Sequence, residues 1–239
     1  GDIHLLFTRE NDTVFHMVST DNGLSWSART EITAQVKLDS WGWYATGPCH
    51  GVQVKRGDQT GRLVVPANHR IGTDGSDAGA FGAQVLYSDD QGATWHMDTY
   101  ADASNGSAPN ETTLVELHPH TASPAGSSDL PLSGTGSQIY INSRDYGSDA
   151  GHRSEAYSSD GGSTYSVPYK GNPHFVTPIC QGSLVRFSAS DEGATVSVDR
   201  VVVKATAVIS HAQNYHALLL LQAQLHLAGL GVFPNIRQR

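Results

Sequence analysis

Glu111 and Arg144 are the two charged residues of this 239-residue chain whose types and surroundings are suited to chemistry. Glu111 lies near the start of the segment 109–117, and Arg144 ends the segment 139–144. A carboxylate can take a proton from a neighbouring hydroxyl, and a guanidinium binds another carboxylate through paired hydrogen bonds. On sequence pattern alone, the two residues are more often a solvated ion pair, so their types permit chemistry without establishing it.

Metal-ligating and redox residues form no recognisable pattern. Of the twelve histidines, His211 and His216 lie five residues apart, which is off the i, i+4 face that a helical metal site uses. Cys49 and Cys180 are far apart and have no metal-type spacing, so two free thiols are favoured and a disulfide stays open. The sequence therefore predicts no metal and no cofactor.

One eight-residue pattern, Ser-x-Asp-x-Gly-x-Thr-aromatic, occurs three times and indicates how the chain positions its other residues. The copies are residues 19–26, 88–95 and 158–165, with Ser for Thr in the first copy and Tyr for Trp in the third. The pattern is typical of a hairpin turn in which the Asp carboxylate accepts backbone N–H bonds, the Gly takes a positive φ and the aromatic ring packs beneath. The copies are about 70 residues apart, and such near-regular spacing predicts radially repeated sheets.

This pattern resembles the Asp box of sialidases and related β-propellers, where it links the third and fourth strands of a blade. The segments between the copies resemble exo-sialidases in the same order. Residues 41–51 (WGWYATGPCHG) are similar to a loop beside the sialidase substrate pocket, 109–117 to Asn-Glu-x-x-x-Val-Glu-Leu, 139–144 to Leu-Asn-x-Arg, and 180–185 to Cys-Gln-Gly-Ser-Val. Asp boxes also occur in non-catalytic propellers, so they predict architecture more than function.

The resemblance implies a site built around a terminal sialic acid. It implies that Trp43, Tyr44 and His50 line the substrate pocket, that Arg144 binds the substrate carboxylate and that Gln181 lies near the rim. It also implies that Glu111 partners the catalytic Tyr, for which Tyr215 in the segment 213–220 is the candidate. We therefore expect Glu111 and Arg144 to face one pocket from adjacent blades, with Tyr215 within hydrogen-bond reach of Glu111.

The chemistry of sialic acid explains these residue types. The sugar has a carboxylate on its anomeric carbon, so a carboxylate nucleophile would meet like-charge repulsion there. A Tyr phenol avoids this repulsion, but its ordinary pKa near 10 requires a neighbouring Glu to take the proton. In the family, arginines bind the substrate carboxylate, and an Asp donates the proton to the leaving oxygen.

The chain also departs from the family pattern. The Phe-Arg-Ile-Pro motif with the first Arg and the following acid/base Asp is not found, and a degraded box at 189–196 follows where a block with the third Arg is expected. Cys49 replaces a Gly, and Cys tolerates a positive φ poorly. We therefore expect an incomplete chain that lacks the first blade and a block near 189–190, with a divergent C-terminal segment at 205–239.

Short apolar runs separated by Gly, Asp, Ser and Asn predict an all-β chain of about twelve strands. The runs are 3–9, 13–20, 51–55, 62–66, 84–88, 113–117, 138–142, 154–158, 183–187 and 196–204. The segments 101–110 and 119–137 are predicted as flexible loops, and 215–229 as either a helix or two short strands. This predicts one sialidase-type β-propeller domain over 1–239, six-bladed in the family, with about three to four recognisable blades here.

The charge and hydropathy of the chain indicate which classes of binding partner are disfavoured. The formal net charge of −8 disfavours nucleic acid and anionic membranes, and the Leu-rich stretch 217–233 is too short to cross a bilayer. The favoured interpretation is an exo-alpha-sialidase-like, retaining glycoside hydrolase acting on sialylated glycans, with very weak hydrolysis by this chain alone. The alternatives are a non-catalytic glycan-binding propeller fragment and an inactive truncated gene product. An open propeller would also leave strand edges that favour self-association.

Overall fold

The structure, a computed structural model, describes residues 1–72, 78–103, 107–118, 136–147, 151–177, 179–188 and 200–205. Within these ranges the chain forms fourteen β-strands and one short helix. All strand pairings within the sheets are antiparallel. The predicted all-β class is confirmed.

The described strands form four sheets that follow one another along the chain. The first has the order β1 (Ile3–Arg9), β2 (Thr13–Ser19), β3 (Thr30–Glu31), and the helix α1 (Thr33–Val36) follows it. The second contains β4 (Trp41–Thr46), β5 (Val52–Gln53), β6 (Leu63–Ile71), β7 (Phe81–Ser88) and β8 (Tyr100–Asp102), in the order β4-β6-β7-β8 with β5 paired to β6. The third contains β9 (Pro109–Leu117), β10 (Gln138–Asp145), β11 (His152–Ser158) and β12 (Val167–Val176) in sequential order, and the fourth pairs β13 (Gly182–Ser188) with β14 (Arg200–Ala205).

Three hydrophobic clusters join these sheets in series. Val85 and Leu114 belong to the cluster between the second and third sheets. The neighbouring residue Leu86 belongs to the cluster that reaches the first sheet, and Val115 to the one that reaches the fourth. Because successive side chains of a strand point to opposite faces, β7 and β9 each bury apolar residues on both faces. This is why the apolar residues Val85 and Leu86 of β7, and Leu114 and Val115 of β9, are adjacent in sequence and do not alternate with polar residues.

The second Asp box shows how each copy closes its turn. The Asp90 carboxylate accepts hydrogen bonds from the Thr94 backbone N–H (2.8 Å), the Thr94 hydroxyl (2.6 Å) and the Ser88 hydroxyl (2.9 Å). The Gly92 N–H donates to the Ser88 hydroxyl at 2.8 Å, and Gly92 has a φ of +85°. The ring of Trp95 is only 2% exposed, as expected for a ring packed beneath the turn.

The other two copies repeat this geometry. Asp21 accepts the Ser25 backbone N–H at 2.8 Å, and Asp160 accepts the Thr164 backbone N–H at 2.9 Å. The second and third copies join the third and fourth strands of their sheets, as the resemblance implies. The first copy differs in one respect, because Trp26 keeps 38% of its surface exposed.

Arg62, just before β6, links the second and third boxes. Its Nε and Nη2 donate to the two carboxylate oxygens of Asp89 at 2.7 and 2.8 Å. Its Nη1 donates to the Asp160 carbonyl at 3.0 Å and to the Ser163 hydroxyl at 2.6 Å. One guanidinium therefore fixes the neighbouring ends of two sheets.

Several predicted boundaries need correction. Residues 41–46, predicted as part of a loop, form β4, and β12 was not predicted. The predicted loop 101–110 contributes its ends to β8 and β9. The degraded box, most of the loop 119–137 and the tail 206–239 with its predicted helix or strands lie outside the described residues. Within the described ranges, no helix is long and apolar enough to span a membrane.

Candidate active site

Glu111 and Arg144 form an ion pair. The Arg144 Nη1 donates to the Glu111 Oε2 at 2.8 Å, and the two side chains are 21% and 27% exposed for Arg144 and Glu111 respectively. The residues lie on β10 and β9, which are neighbouring strands of the third sheet. The expectation that they approach from adjacent blades is therefore wrong, although their side chains do meet.

Aromatic rings connect Arg144 to the second sheet. The Arg144 Nη2 donates to the Tyr146 hydroxyl, and the Arg144 Cζ lies 4.4 Å from the centroid of the Tyr146 ring. Tyr146 stacks on Phe81 with centroids 4.5 Å apart, and the Arg70 Cζ lies 4.2 Å from the Phe81 centroid. Cation–π and stacking contacts of this kind favour one orientation of a planar guanidinium.

The loop 47–51 connects the end of β4 to the third and fourth sheets. Pro48 forms an isolated parallel bridge with Thr112, whose backbone N–H donates to the Gly47 carbonyl at 3.3 Å. The Cys49 thiol donates to the Gly182 carbonyl at 2.7 Å. The loop therefore lies beside Glu111, the residue before Thr112, and reaches the start of β13.

The backbone of this loop also shows whether Cys49 is strained at a position where the family has Gly. The positive φ of the loop, +76°, belongs to Gly47, and Cys49 does not have one. Cys at this position therefore imposes no left-handed strain.

The predicted pocket residues of β4 and its loop divide into two groups. Tyr44 is fully buried, and it packs with Trp41 and Leu86 in the core between the first and second sheets. Burial raises the pKa of the Tyr44 phenol. Tyr44 is thus a core residue in this structure, which corrects its predicted place in the pocket lining. Trp43 is half-buried and His50 is exposed, so their contact with substrate stays a prediction.

Arg153 is the residue of this region that sequence reasoning missed. It lies on β11 directly opposite Arg144, and its side chain is fully buried. Its Nε donates to the Asn142 side-chain carbonyl, and its Nη1 donates to the Cys180 carbonyl at 2.9 Å. Burial lowers the pKa of the guanidinium. One signal was present in the sequence: Arg153 and Glu155 alternate with the small residues Ser154 and Ala156 along β11, which places both charges on one face of the strand.

Two further predicted residues have different outcomes. Gln181 is exposed and immediately precedes β13, so its predicted position near a rim stays open. Tyr215 lies outside the described residues, and its distance from Glu111 is not defined. Among the described residues, no group of three or more His, Cys, Asp or Glu side chains could hold a metal ion.

Residues 6–177 match the family model described as the BNR repeat-like domain. The chain belongs to this family. The matched range contains all three Asp boxes, Glu111, Arg144 and Arg153. The repeat architecture read from the boxes is thus a property of this BNR repeat-like domain.

Proteins named sialidase are among its relatives. The domain is 28% identical to a Bacteroides fragilis sialidase over 173 residues, which is 72% of this chain and 26% of that protein. It is 33% identical to a Micromonospora viridifaciens sialidase over 170 residues, covering 70% of this chain and 22% of that protein. It is 29% identical to mouse Sialidase-3 over 180 residues, covering 72% of this chain and 37% of that protein. The similarity to sialidases inferred from the motifs is confirmed, and the chain spans well under half the length of these relatives.

Solved structures give the same fold assignment. The Hadza microbial sialidase Hz136 matches with a TM-score of 0.56 and 21% identity, covering 82% of this chain and 32% of that chain. The leech intramolecular trans-sialidase matches with a TM-score of 0.55 and 21% identity, covering 82% of this chain and 24% of that chain. At this identity the likeness concerns the fold.

Proposed function

We propose that this chain is an exo-alpha-sialidase-like glycoside hydrolase domain that acts on terminal sialic acids of glycans. The observation that carries the proposal is the Glu111–Arg144 ion pair beside the loop 47–51, in a chain similar to proteins named sialidase. A carboxylate and a guanidinium in contact on neighbouring strands supply a proton acceptor and an anion binder at one place.

In the proposed mechanism Arg144 binds the sugar carboxylate and so orients the anomeric carbon. Its ring contacts with Tyr146 hold the guanidinium plane while the substrate shares the N–H groups with Glu111. Glu111 takes the phenolic proton of Tyr215, whose oxygen attacks the anomeric carbon and forms a glycosyl–enzyme intermediate. The glycosidic C–O bond breaks in the same step, and the leaving oxygen takes a proton from solvent water. Water then cleaves this intermediate with retention of configuration. The acid/base Asp of the family has no counterpart among the motifs of this sequence, so we expect slow turnover.

The fold supports a β-propeller as the setting for this site. Two described sheets have four strands in the main path, and clusters of apolar side chains join successive sheets face to face. Both features are expected of propeller blades. In this proposal the four described sheets belong to a six-bladed arrangement of which the chain supplies about three to four blades.

The test is hydrolysis of a fluorogenic sialoside by the purified full chain, with thermal melting measured on the same sample. A cooperative melt with slow hydrolysis that falls at least tenfold in Glu111→Gln would support the hydrolase. A cooperative melt without hydrolysis, but with binding of free sialic acid, would replace it with a glycan-binding propeller fragment. A chain without a cooperative melt would be an inactive truncated product. Glu31→Ala, at an exposed position of β3, is the matched control and should change neither readout.

A further inference from the structure

Cys49 and Cys180 are the only two cysteines of the chain, and the fold brings them to the junction between the second and fourth sheets. Cys49 belongs to the loop that follows β4, and Cys180 lies two residues before the start of β13. Both residues are half-buried, and both are thiols in this structure. Two cysteines that are distant in the sequence therefore lie on segments that touch.

The Cys49 thiol contacts the segment that contains Cys180. It donates a hydrogen bond to the Gly182 carbonyl at 2.7 Å. Two extended residues span at most about 7 Å, so the Cα of Cys180 lies within that distance of the Cα of Gly182. The Cα atoms of a disulfide are usually about 4.4–6.8 Å apart. A rotation of the Cys49 side chain away from Gly182, together with a shift of the segment 180–182, would close the bond.

Arg153 holds the segment 180–182 at this junction. Its Nη1 donates to the Cys180 carbonyl at 2.9 Å, and a Cβ added to Gly182 would lie 3.0 Å from the same nitrogen. Both ends of the segment therefore touch one guanidinium. Burial lowers the pKa of Arg153, and Coulombic interactions with Cys180 and Cys49 are among those that oppose this shift. Both side chains are thus within electrostatic range of the Arg153 guanidinium.

The surroundings of the two sulfurs are suited to thiol chemistry. Reactive cysteines lie in partly exposed places beside positive charge, whereas fully buried cysteines are inert. Cys49 and Cys180 keep part of their surface accessible, and Arg153 supplies the positive charge. An exchange partner can therefore reach sulfur atoms that the fold already holds near each other.

We propose that Cys49 and Cys180 are a redox-active pair that closes to a disulfide by exchange with a small disulfide such as oxidised glutathione. One cysteine thiolate attacks a sulfur of oxidised glutathione, forms a mixed disulfide and releases one reduced glutathione. The other cysteine thiolate then attacks the protein sulfur of the mixed disulfide, forms the Cys49–Cys180 bond and releases the second reduced glutathione. The two cysteines lose two protons and two electrons, and oxidised glutathione takes them up.

The bond would tie the loop 47–51 covalently to the fourth sheet. In the reduced chain the Cys49 thiol holds this contact through one hydrogen bond to Gly182. The same loop pairs with Thr112 beside Glu111, so oxidation restricts one side of the candidate active site. Cys49 stands where the similar sialidase loop has Gly, so the pair belongs to this chain. The inference does not depend on the proposed hydrolase activity.

The experiment measures the equilibrium between the dithiol and the disulfide in glutathione redox buffers, for the full chain in native buffer and in urea. Alkylation with iodoacetamide followed by mass spectrometry separates the reduced, mixed and internal disulfide forms. Because the chain has two cysteines, an internal disulfide in a monomer can only be Cys49–Cys180. We expect closure to be roughly 30- to 1,000-fold more favourable in native buffer than in urea, the ratio that a typical native disulfide gives.

A native-to-urea ratio near one or below would overturn the proposal. Glutathione adducts on both cysteines without closure, or disulfide-linked dimers as the main product, would also overturn it.

Two variants test whether the position of the thiol matters. Cys49→Ser keeps a hydroxyl donor for the Gly182 carbonyl and should give only a mixed disulfide at Cys180. The double variant Cys49→Ser, His50→Cys moves the thiol by one residue to an exposed position of the same loop. Its native-to-urea ratio should be at least about tenfold lower than that of the wild type, because disulfide geometry is specific. An equal ratio would contradict the proposed pairing.

Discussion

Glu116 is the residue whose replacement should most clearly destabilise the sheets around the site. Its carboxylate is 4% exposed and accepts hydrogen bonds from the backbone N–H groups of Lys55 and Arg56, both at 2.7 Å. It also accepts the Arg56 Nη1 and the Arg186 Nη1, each at 3.2 Å. These partners come from the segment after β5 and from β13, so one carboxylate on β9 joins three sheets.

The size of the effect follows from what Glu116→Ala leaves behind. Two backbone donors and two guanidinium groups, which are 12% and 14% exposed, would lose their shared acceptor. Breaking a buried ion pair from one side costs about 3–5 kcal/mol, a large part of a typical unfolding free energy of about 5–15 kcal/mol. Because each kcal/mol shifts the melting temperature of a chain of this size by about 2–4 °C, we expect a decrease of roughly 6–20 °C.

Urea unfolding followed by tryptophan fluorescence measures this loss. Glu116→Gln keeps an acceptor for the backbone donors but removes the charge, so its loss should lie between those of the wild type and Glu116→Ala. Glu31→Ala changes an exposed carboxylate and should stay within about 0.5 kcal/mol of the wild type. If the unfolding free energy of Glu116→Ala also stays within about 0.5 kcal/mol of the wild type, the Glu116 carboxylate does not hold the three sheets together.

Three more predictions concern the turns, the site and the surface. Hydrogen bonds from Thr94 lower the pKa of Asp90 from 3.8 to about 2 in the folded chain. The ionised Asp90 therefore stabilises the fold fully above pH 3.8, and this stabilisation is lost as the pH falls towards the folded-state pKa. The wild-type melting temperature should therefore fall between pH 4 and pH 2 more steeply than that of Asp90→Asn, and parallel profiles would contradict this. Gly182→Ala places a Cβ 2.8 Å from the Arg153 Cζ and should cost about 1–3 kcal/mol in urea unfolding, whereas an unchanged midpoint would mean that the guanidinium moves freely. Ile3 is 42% exposed on the outer strand of the first sheet. Sedimentation should therefore show concentration-dependent self-association of the wild-type chain, which Ile3→Lys should reduce. A wild-type chain that stays monomeric at all concentrations would count against open strand edges.

The parts of the fold that the sequence predicts are those fixed by local bonds. Each Asp box forms its hydrogen bonds within eight residues, so the type and order of Ser, Asp, Gly and Thr are enough to predict the turn. β12 was missed because Pro168, Gly171 and Pro173 are unfavourable in most strands. The segment is nevertheless an outer strand of its sheet, where a missing N–H is tolerated.

The site was only partly predictable for a different reason. The motifs around Glu111 and Arg144 predict a carboxylate and a guanidinium, but strand register decides which side chains meet across a sheet. Register places Arg153 opposite Arg144, and no short motif encodes that pairing. The burial of Tyr44 could not be predicted either, because it depends on the packing of two sheets and not on the neighbours of Tyr44 in the sequence.

The central claim is that the Glu111–Arg144 pair belongs to a site that recognises sialic acid. The most direct test is equilibrium binding of 2-deoxy-2,3-didehydro-N-acetylneuraminic acid, a ring-flattened mimic of the oxocarbenium-like transition state, to the wild-type chain and to Arg144→Met. Binding does not depend on the acid/base Asp or on turnover. The account predicts measurable affinity for the wild type, a loss of roughly tenfold or more in Arg144→Met, and no change in the control Arg29→Met, which replaces an exposed arginine. Equal affinity of the wild type and Arg144→Met, or no binding by a cooperatively folded wild-type chain, would contradict it.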